Sequence, residues 1–345
     1  MDSVEIKDEI KNFAYSLGFD LVGFTTAEAF NAEILYQRKA EGYLSGLEEK
    51  DIKKRVTPRL SLNTAKSIIA LGLSYNIPIK YVPQRGYAII SRSAYGKDYH
   101  KVMSDMMLKL VKYIEKMYNV KSIYMVDTGP LVDRMVAYRA GIGWYGKNCS
   151  IINDEYGSWI FLGEILTELE LPPDSPVESR CGDCDLCLKA CPTGALVSPY
   201  TLNANRCLSY NTVKKGILPD DIKDKMGMRI YGCDTCQEVC PVNKRAKYTN
   251  KNEFIPQPPM PLIPLEDVAK MDKKIFEEIF KHTSAGWRGK TTLQRNGIIA
   301  MGNSGDSRYL EILESFLNDS RPGISDAARW SLEKIRSRAN GQGNS

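Results

Sequence analysis

Eight of the nine cysteines lie between residues 181 and 240, in two runs and one position between them. The first run has the spacing C-x2-C-x2-C-x3-C followed by proline, which is typical of a loop around a four-iron cubane cluster. The second run keeps the final spacing but lacks its first cysteine, which the intervening Cys207 can supply. The eight are Cys181, Cys184, Cys187, Cys191, Cys207, Cys233, Cys236 and Cys240. The pattern predicts two 4Fe-4S clusters and therefore a protein that transfers electrons.

A rule from two-cluster ferredoxins divides these cysteines between the clusters. There, the last cysteine of each run binds the other cluster. The predicted ligands of one cluster are Cys181, Cys184, Cys187 and Cys240. The predicted ligands of the other are Cys191, Cys207, Cys233 and Cys236.

Zinc and disulfides are the alternative uses of such cysteines. Three cysteines at successive x2 spacings would crowd one tetrahedral zinc ion and leave others unpaired. A disulfide framework is disfavoured because the first residues carry no secretory pattern and 345 residues can build a core without crosslinks. The ninth cysteine, Cys149, is expected to be a buried, inert thiol.

The composition is that of an ordinary globular protein, with 43% hydrophobic and 26% charged residues. No apolar run approaches the ~20 residues needed to span a bilayer, so we expect a cytoplasmic protein without a membrane partner. The formal net charge is +5. Lysine and arginine cluster at 50–59 and 244–247, and such clusters are more often solvated surface than a nucleic-acid site.

Three regions must position these residues. Residues 1–170 alternate strand-like apolar runs with amphipathic helical stretches, which predicts an α/β (α+β) domain. Residues 171–248 form a ferredoxin-like cluster module after the helix-breaking segment LPPDSP. Residues 249–345 begin with a second proline-rich stretch and continue as two or three helices. Their pattern predicts a HEAT-like helical region, which binds a partner or caps its neighbour.

The N-terminal region is expected to hold the reacting group, because clusters move electrons but rarely perform substrate chemistry. Its densest stretch is residues 126–152. Asp127 ends a strand-like run and precedes a Thr-Gly-Pro turn, a transition at which α/β proteins place ligands. Gly141, Gly143 and Gly146 would let a large flat ligand approach the backbone. Two alternatives stay open: these glycines are turn residues, and Asp127 is a turn-forming aspartate.

Six segments, together with the opening GFDLVGF, carry a resemblance that covers nearly the whole chain. They are SAYGKDYH (93–100), VDTGPLVDR (126–134), GIGWYGKN (141–148), RCLSYNT (206–212), RIYGCDTCQEVCPVN (229–243) and LQRNGIIAMGN (293–303). In order and spacing they resemble the epoxyqueuosine reductase family, which performs the last step of queuosine synthesis in tRNA. The cluster module alone fits many oxidoreductases, but its combination with VDTGP and GWYGKN is specific.

The resemblance implies a cobalamin-dependent reductase whose catalytic domain is related to reductive dehalogenases. The family binds cobalamin with its lower base displaced, receives electrons through two cubane clusters from an external low-potential donor, and removes the epoxide oxygen of epoxyqueuosine at the tRNA wobble position. Asp127 occupies the position of the family's general acid. The residues in segments near the corrin or substrate are Arg55, Ser91, Arg134, Lys147, Ile151 and Ser209.

The resemblance also sets expectations for single residues. The acid must be protonated at working pH, so we expect an apolar pocket to raise the pKa of Asp127. His100 and His282 are the only histidines, and we expect His100 to be structural. A monomer would bind the anticodon stem-loop through shape, stacking and phosphate contacts. The candidate contacts are Arg288, Lys290, Arg295, Lys244 and Arg245.

Two departures from the family leave the substrate open. Residues 44–48, LSGLE, stand where the family usually has a His-Gly and Met-Ala-Tyr segment beside the active site, and Cys149 stands where threonine is common. Two other functions therefore remain: a cobalamin reductase of the same fold acting on a small molecule, and a ferredoxin-like electron-transfer protein that docks a partner enzyme.

Overall fold

The computed structural model describes residues 2–78 and 84–341. Its strands are β1 (Leu21–Thr26), β2 (Ser67–Ser74), β3 (Ile89–Ile90), β4 (Ser122–Met125), β5 (Trp144–Tyr145), β6 (Ile151–Ile152), β7 (Ile160–Thr167), β8 (Leu196–Ser198), β9 (Thr201–Leu202) and β10 (Arg229–Tyr231). Its α-helices are α1 (Ser3–Ser16), α2 (Glu33–Ala40), α3 (Ile52–Val56), α4 (Tyr99–Tyr118), α5 (Asp133–Arg139), α6 (Leu186–Ala190), α7 (Leu208–Val213), α8 (Asp220–Met226), α9 (Thr235–Glu238), α10 (Leu265–Ala269), α11 (Lys273–Ile279), α12 (Lys290–Ser304), α13 (Leu310–Glu314) and α14 (Pro322–Gly341). Within the described ranges, no helix is both long enough and apolar enough for a membrane span.

The main sheet has the strand order β1-β2-β7-β4, and every neighbouring pair in it is antiparallel. The predicted mixture of helices and strands is confirmed, and the antiparallel pairing makes this region α+β. The direction of pairing was not readable from the sequence, because a strand covered on both faces is a continuous apolar run whatever its neighbours do.

The central strand β2 is buried along its whole length because helices cover both faces of the sheet. Successive side chains of a strand point to opposite faces. Ile69 and Leu71 accordingly pack into a large core with α1 and α4, whereas Ile68 and Ala70 pack into a smaller core with α5. The sheet is therefore a rigid middle layer, and the site residues extend from its edge and from the helices on it.

Helix α12 joins the C-terminal helices to the segment between the two cysteine runs. Asn296, on α12, is fully buried and its side-chain amide donates to the carbonyls of Thr212 and Ile230, each at 2.7 Å. Gly302 lets α14 approach closely, because a Cβ there would lie 2.5 Å from Ser331 Oγ. The C-terminal helices therefore pack as part of the main body.

The three regions proposed from the sequence share one continuous apolar core. That core includes Phe24 of the sheet, Ile230 of the cluster region and Ile298 of α12. Strand β10 also pairs in parallel with β3 of the N-terminal region. Hydrogen bonds and apolar contacts thus cross both proposed boundaries.

Replacing Asn296 tests this connection. Asn296→Ala leaves two buried carbonyls without their donors, which costs about 2–3 kcal/mol of stability. We expect the thermal midpoint, followed by circular dichroism at one scan rate, to fall by several degrees. Asn318→Ala changes an exposed asparagine of the same region and should leave it unchanged. Equal midpoints for the two variants would contradict the role assigned to Asn296.

Candidate functional site

Asp127 lies at the tip of a tight turn just beyond strand β4. Its φ is +55°, and the backbone N–H of Thr128 donates to the carbonyl of Val126 across it at 2.5 Å, which closes a three-residue γ-turn. Aspartate tolerates this left-handed region better than most residues, but the conformation is still strained. Strained backbone of this kind recurs where a side chain is held for function.

His100 and Asp98 meet Asp127 from the N-terminus of helix α4. Asp98 caps this helix by accepting a hydrogen bond from the backbone N–H of His100 at 3.1 Å, and its carboxylate also contacts His100 Nδ1 at 2.7 Å. The other ring nitrogen, Nε2, lies 3.4 Å from Asp127 Oδ2. The ring stacks on Tyr99, with centroids 4.1 Å apart. The expectation that His100 is only structural missed this contact.

The charges of His100, Asp98 and Asp127 are the opposite of the expectation that Asp127 would be protonated. Burial lowers the pKa of His100, but hydrogen bonds to Asp127 and Asp98 outweigh it and raise that pKa to about 9. Although 61% of the Asp127 side chain is exposed, the protein around its carboxyl removes some water and so raises the pKa. The hydrogen bond with His100 outweighs this effect and lowers the pKa of Asp127. The predicted rise in the pKa of Asp127 is therefore wrong for the protein alone, because a neighbouring imidazolium outweighs the loss of solvation. The proton resides on His100.

Two further acids, Asp133 and Glu164, lie behind Asp127. Burial raises the pKa of Asp133, and the charge of Asp127 adds to this effect. Burial likewise raises the pKa of Glu164, and the nearby carboxyl of Asp133 raises it further. Glu164 pairs across the sheet with Met125 of β4. Met125 is two residues before Asp127. Sequence analysis missed this pair, although a glutamate inside the apolar strand IFLGEILT was a usable signal.

A cavity of about 810 Å³ lies between α2, α3, α5 and the loops near β5 and β9. Arg38, Arg55 and Arg134 line it, so the two arginines predicted for cofactor binding are brought together. Arg38 Nε and Arg55 Nη1 are buried and have no hydrogen-bond partner among the described residues. Buried donors without acceptors are costly. The cavity therefore suits a ligand that carries negative charge or several carbonyl oxygens.

Arg134 connects this cavity to the acid cluster. Its Nη1 donates to the carbonyl of Cys149 at 2.6 Å, and its charge acts on Asp127 and Asp133. Cys149 is buried and lines the same cavity, and burial raises the pKa of its thiol.

The other residues predicted for cofactor binding contact the cluster module or the core. Ser91 Oγ donates to Asp234 Oδ1 at 2.7 Å, beside the second cysteine run. Lys147 Nζ donates to the carbonyl of Gly182 at 2.5 Å, inside the first run. The backbone N–H of Ser209 is directed at the Cys207 thiol. The side chain of Ile151 packs in the smaller apolar core.

Electrostatic interactions between neighbouring thiols divide seven of the predicted cluster cysteines into two groups. They are Cys181, Cys184 and Cys187 on one side, and Cys191, Cys207, Cys233 and Cys236 on the other. Cys191 joins the second run because helix α6, which precedes it, packs against α9 of that run. Burial raises the pKa of Cys207, and the thiols of Cys233 and Cys191 add to this. Bound iron is a local positive charge that would offset this cost.

Polar groups contact the sulfurs of the second group. The backbone N–H of Ala195 donates to Cys191 Sγ at 3.2 Å, and Thr235 Oγ1 lies 3.4 Å from Cys233 Sγ. Hydrogen bonds to cluster sulfurs are one of the factors that set a cluster's reduction potential.

The segment that departs from the family, residues 44–48, packs between the cavity and the second cysteine group. Tyr210 Oη donates to the carbonyl of Ser45 at 2.8 Å, three residues after Cys207. At the other end of the segment, Glu48 acts electrostatically on Arg55. Substitutions here therefore reach both the cavity wall and a cluster loop.

The prediction that Arg295 contacts RNA is wrong. It is buried and donates to the carbonyls of Lys214 and Gly216 at 2.6 and 2.7 Å, so its charge is used inside the fold. Arg288 stacks on the exposed Trp287, 4.2 Å from its ring centroid. The remaining candidates are the exposed Lys244 and Arg245 and the half-buried Lys290.

Comparisons with known proteins find relatives along nearly the whole chain. Residues 180–243 match the family model "4Fe-4S double cluster binding domain", and residues 55–128 match "Epoxyqueuosine reductase QueG, DUF1730". The epoxyqueuosine reductase of Bacillus subtilis (strain 168) is 44% identical over 97% of this chain and 89% of its own length.

Solved structures are similar over nearly the whole chain as well. An epoxyqueuosine reductase solved with an epoxyqueuosine-modified tRNA-Tyr stem loop has a TM-score of 0.93 and 43% identity, over 98% of this chain and 92% of its own. The Bacillus subtilis enzyme, solved with its catalytic aspartate loop swung out of the active site, has a TM-score of 0.92 and 43% identity, over 96% of this chain and 90% of its own.

The contact of His100 with its two aspartates should make stability depend on pH. The pKa of His100 in the fold, about 9, exceeds its ordinary value near 6.5. The stabilisation is therefore complete below about pH 6.5 and is lost as the pH rises through 9. The pKa values of Asp98 and Asp127 are lowered in the fold, so the stabilisation that these two aspartates contribute is lost only when the pH falls below about 4.

We expect the difference in thermal midpoint between the wild type and His100→Gln to shrink from about pH 6 to about pH 9.5. His282→Gln changes the other, exposed histidine and provides the control. A difference for His100→Gln that stays constant with pH would rule out the charged pair.

Proposed function

The chain belongs to the epoxyqueuosine reductase family, and from this premise we propose that it reduces epoxyqueuosine to queuosine at the wobble position of tRNA. One observation carries the proposal: the likeness, over 98% of the chain, to a reductase solved with an epoxyqueuosine-modified stem loop. The strained loop of Asp127 supports it, since a relative has been solved with its catalytic aspartate loop in a swung-out position.

The work divides among the three regions. Residues 1–170 hold the reacting cofactor and the acid, residues 171–248 relay electrons from an external low-potential donor, and residues 249–345 form a HEAT-like helical region that contributes to RNA binding. Iron–sulfur clusters of ferredoxin type suit this relay because their potentials reach about −400 mV. A tRNA substrate also makes the cytoplasm the expected location.

The eight cysteines of the cluster module bind two 4Fe-4S clusters in a crossed arrangement. The match of residues 180–243 to a double-cluster domain supports two clusters. The closeness of Cys191 to Cys207, Cys233 and Cys236 supports its assignment to the second cluster. By the same rule Cys240 completes the first cluster.

The arginine-lined cavity fits cobalamin. Its volume, about 810 Å³, is near the upper end of the range for ligand pockets, about 300–1,000 Å³. The unpartnered N–H groups of Arg38 and Arg55 suit the phosphate and amide oxygens of cobalamin. We assign cobalamin to this cavity, held by Arg55 and Arg134 with Tyr145 as an apolar wall. When bound, it supplies a strongly reducing cobalt centre for cleavage of the C–O bond.

The residues of the chain provide the proton and the geometry. Opening an epoxide leaves negative charge on its oxygen, and a proton delivered as the bond breaks lowers that cost. Asp127 delivers it, because the γ-turn holds its carboxyl at the edge of the sheet, with most of the side chain exposed to an incoming substrate. The positive charge of Arg134 lowers the pKa of Asp127 and so favours its ionised form between turnovers.

Contacts to RNA come from exposed basic and aromatic side chains. Trp287 with Arg288 provides a stacking surface next to Tyr231, which in turn lies near Asp127. Exposed aromatic rings stack on unpaired bases, and Lys244 and Arg245 can contact phosphates.

A direct assay tests the function. The protein is purified anaerobically with cobalamin, then incubated with reductant and tRNA carrying epoxyqueuosine, and the nucleoside is read by mass spectrometry. We expect the loss of one oxygen atom, dependent on cobalamin. Bound cobalamin with unchanged tRNA would overturn the proposed substrate and favour a small molecule.

Asp127→Asn should reduce this turnover by at least about 10²-fold, because an amide cannot donate the proton. Iron content and cobalamin binding should equal those of the wild type, since the side chain contributes to neither. Asp105→Asn, a change elsewhere on α4, is the control and should be fully active. Full activity of Asp127→Asn would remove Asp127 as the acid.

Cys207→Ala should cost one cluster and leave the other. The expected iron content falls from about eight to about four per chain, because four ligands serve each cubane. Cys149→Ala provides the control, with iron unchanged. Iron that stays near eight in Cys207→Ala would contradict the crossed assignment.

A further inference from the structure

The reaction needs more protons than Asp127 carries. Converting an epoxide into an alkene releases its oxygen as water, so each turnover consumes two electrons and two protons. The electrons come from the reductant through the clusters. One carboxyl donates one proton, first to the epoxide oxygen, and must be reloaded before the resulting hydroxyl leaves as water. In the free protein most of the Asp127 side chain is exposed, but a substrate seated on that face covers the carboxyl. While substrate is bound, the site therefore requires a second proton carrier beside Asp127.

We propose that His100 is that carrier: its Nε2 passes a proton to Asp127 Oδ2, and Asp98 holds the ring in position from Nδ1. The inference rests on the proposed function. In each transfer an N–H bond of the imidazolium breaks and an O–H bond of the carboxyl forms. His100 is then neutral and regains its proton from solvent. The cycle runs twice per epoxide, which accounts for both protons.

The geometry supports a proton path rather than a simple contact. Nε2 and Oδ2 are 3.4 Å apart, at the long end of a hydrogen bond, and the carboxyl is on a strained turn. Nδ1 is fixed at 2.7 Å by Asp98, which is itself fixed as the cap of α4. Catalytic hydrogen bonds are often long before substrate binds and tighten in the complex. One end of the relay is therefore rigid and the other can adjust.

The charges around His100 favour a stored proton. From its own helix it is faced by Asp98, with Lys101 and Tyr99 alongside, and from the loop after β4 by Asp127. Farther groups act on these aspartates: Asp133 and Arg134 of α5, Glu164 of β7 and Tyr231 of β10. Only Lys101 and Arg134 in this set oppose a positive ring, and neither is among the groups acting directly on His100.

Asp133, Glu164 and Tyr99 are the rival proton sources. Burial raises the pKa of Tyr99, so its hydroxyl, which contacts Asp127, keeps its proton. Glu164 is 1% exposed, so it has no direct route for reloading from water. The His100 side chain is 30% exposed. The carboxyl of Asp133 accepts a hydrogen bond from the backbone of Asp127, which supports the turn. This pair positions the loop, and His100 connects it to solvent.

The first test separates proton transfer from positioning. Gln at position 100 keeps a donor of similar reach toward Asp127 but cannot exchange a proton. We expect His100→Gln to lower kcat about 10²-fold, with KM, iron content and cobalamin binding unchanged. In the wild type kcat should fall as the pH rises through about 9, and His100→Gln should lack this limb. Added imidazole should restore part of the activity of His100→Gly.

The outcomes of that test are distinct. His282→Gln is the matched control and should behave as the wild type. A wild type that leaves the tRNA unchanged would overturn the proposed function and this reaction with it. An active wild type together with a His100→Gln enzyme of equal kcat and the same pH profile would overturn the role of His100 alone.

The second test needs neither tRNA nor activity. With only two histidines, isotope-labelled imidazole in the cluster-loaded protein gives two NMR titration curves, and His282→Gln identifies His100. We expect His100 to titrate near 9 and to move toward 6.5 in Asp98→Asn and in Asp127→Asn. Titration of His100 near 6.5 in the wild type would overturn the stored proton.

Discussion

Burial of β2 and β7 between two layers of helices is the constraint on which the site depends. Glu164 of β7 is held within the sheet, and β4, which leads into Asp127, is held by pairing with β7. Helix α4 packs on the same sheet. Its N-terminal end carries His100 and the capping residue Asp98. The N-terminal end of α4 and the C-terminal end of β4 therefore meet with defined spacing, because both elements rest on one rigid layer.

The electrostatics of the site follow from where water is excluded. Behind Asp127, burial disfavours charge on Asp133 and Glu164, so that side of the turn carries little negative charge. In front, His100 is partly open to solvent and holds a proton between two aspartates. The result is an acid whose charge is set by its neighbours, and a large substrate that displaces water would change that balance.

The sequence was most informative where chemistry depends on local spacing. The predicted cluster ligands, such as Cys184 and Cys187, follow from intervals of three, and β4 before Asp127 follows from a short apolar run. What failed depends on distant contacts. His100 and Asp127 are 27 residues apart, and no local sequence pattern predicts their contact. Arg295 resembles a surface base on a helix, but tertiary packing directs it to backbone carbonyls. The pKa of Asp127 was misjudged for the same reason.

The buried amide of Asn296 has a consequence for electron delivery. It holds the C-terminal helices to Thr212 and Ile230, which lie between the cysteines of the second group. A substrate that binds those helices therefore docks on the same rigid body that carries the cluster loops. If RNA binds there as proposed, an imperfectly docked RNA changes which nucleotide enters the site, whereas the spacing of the cluster loops remains a property of the fold.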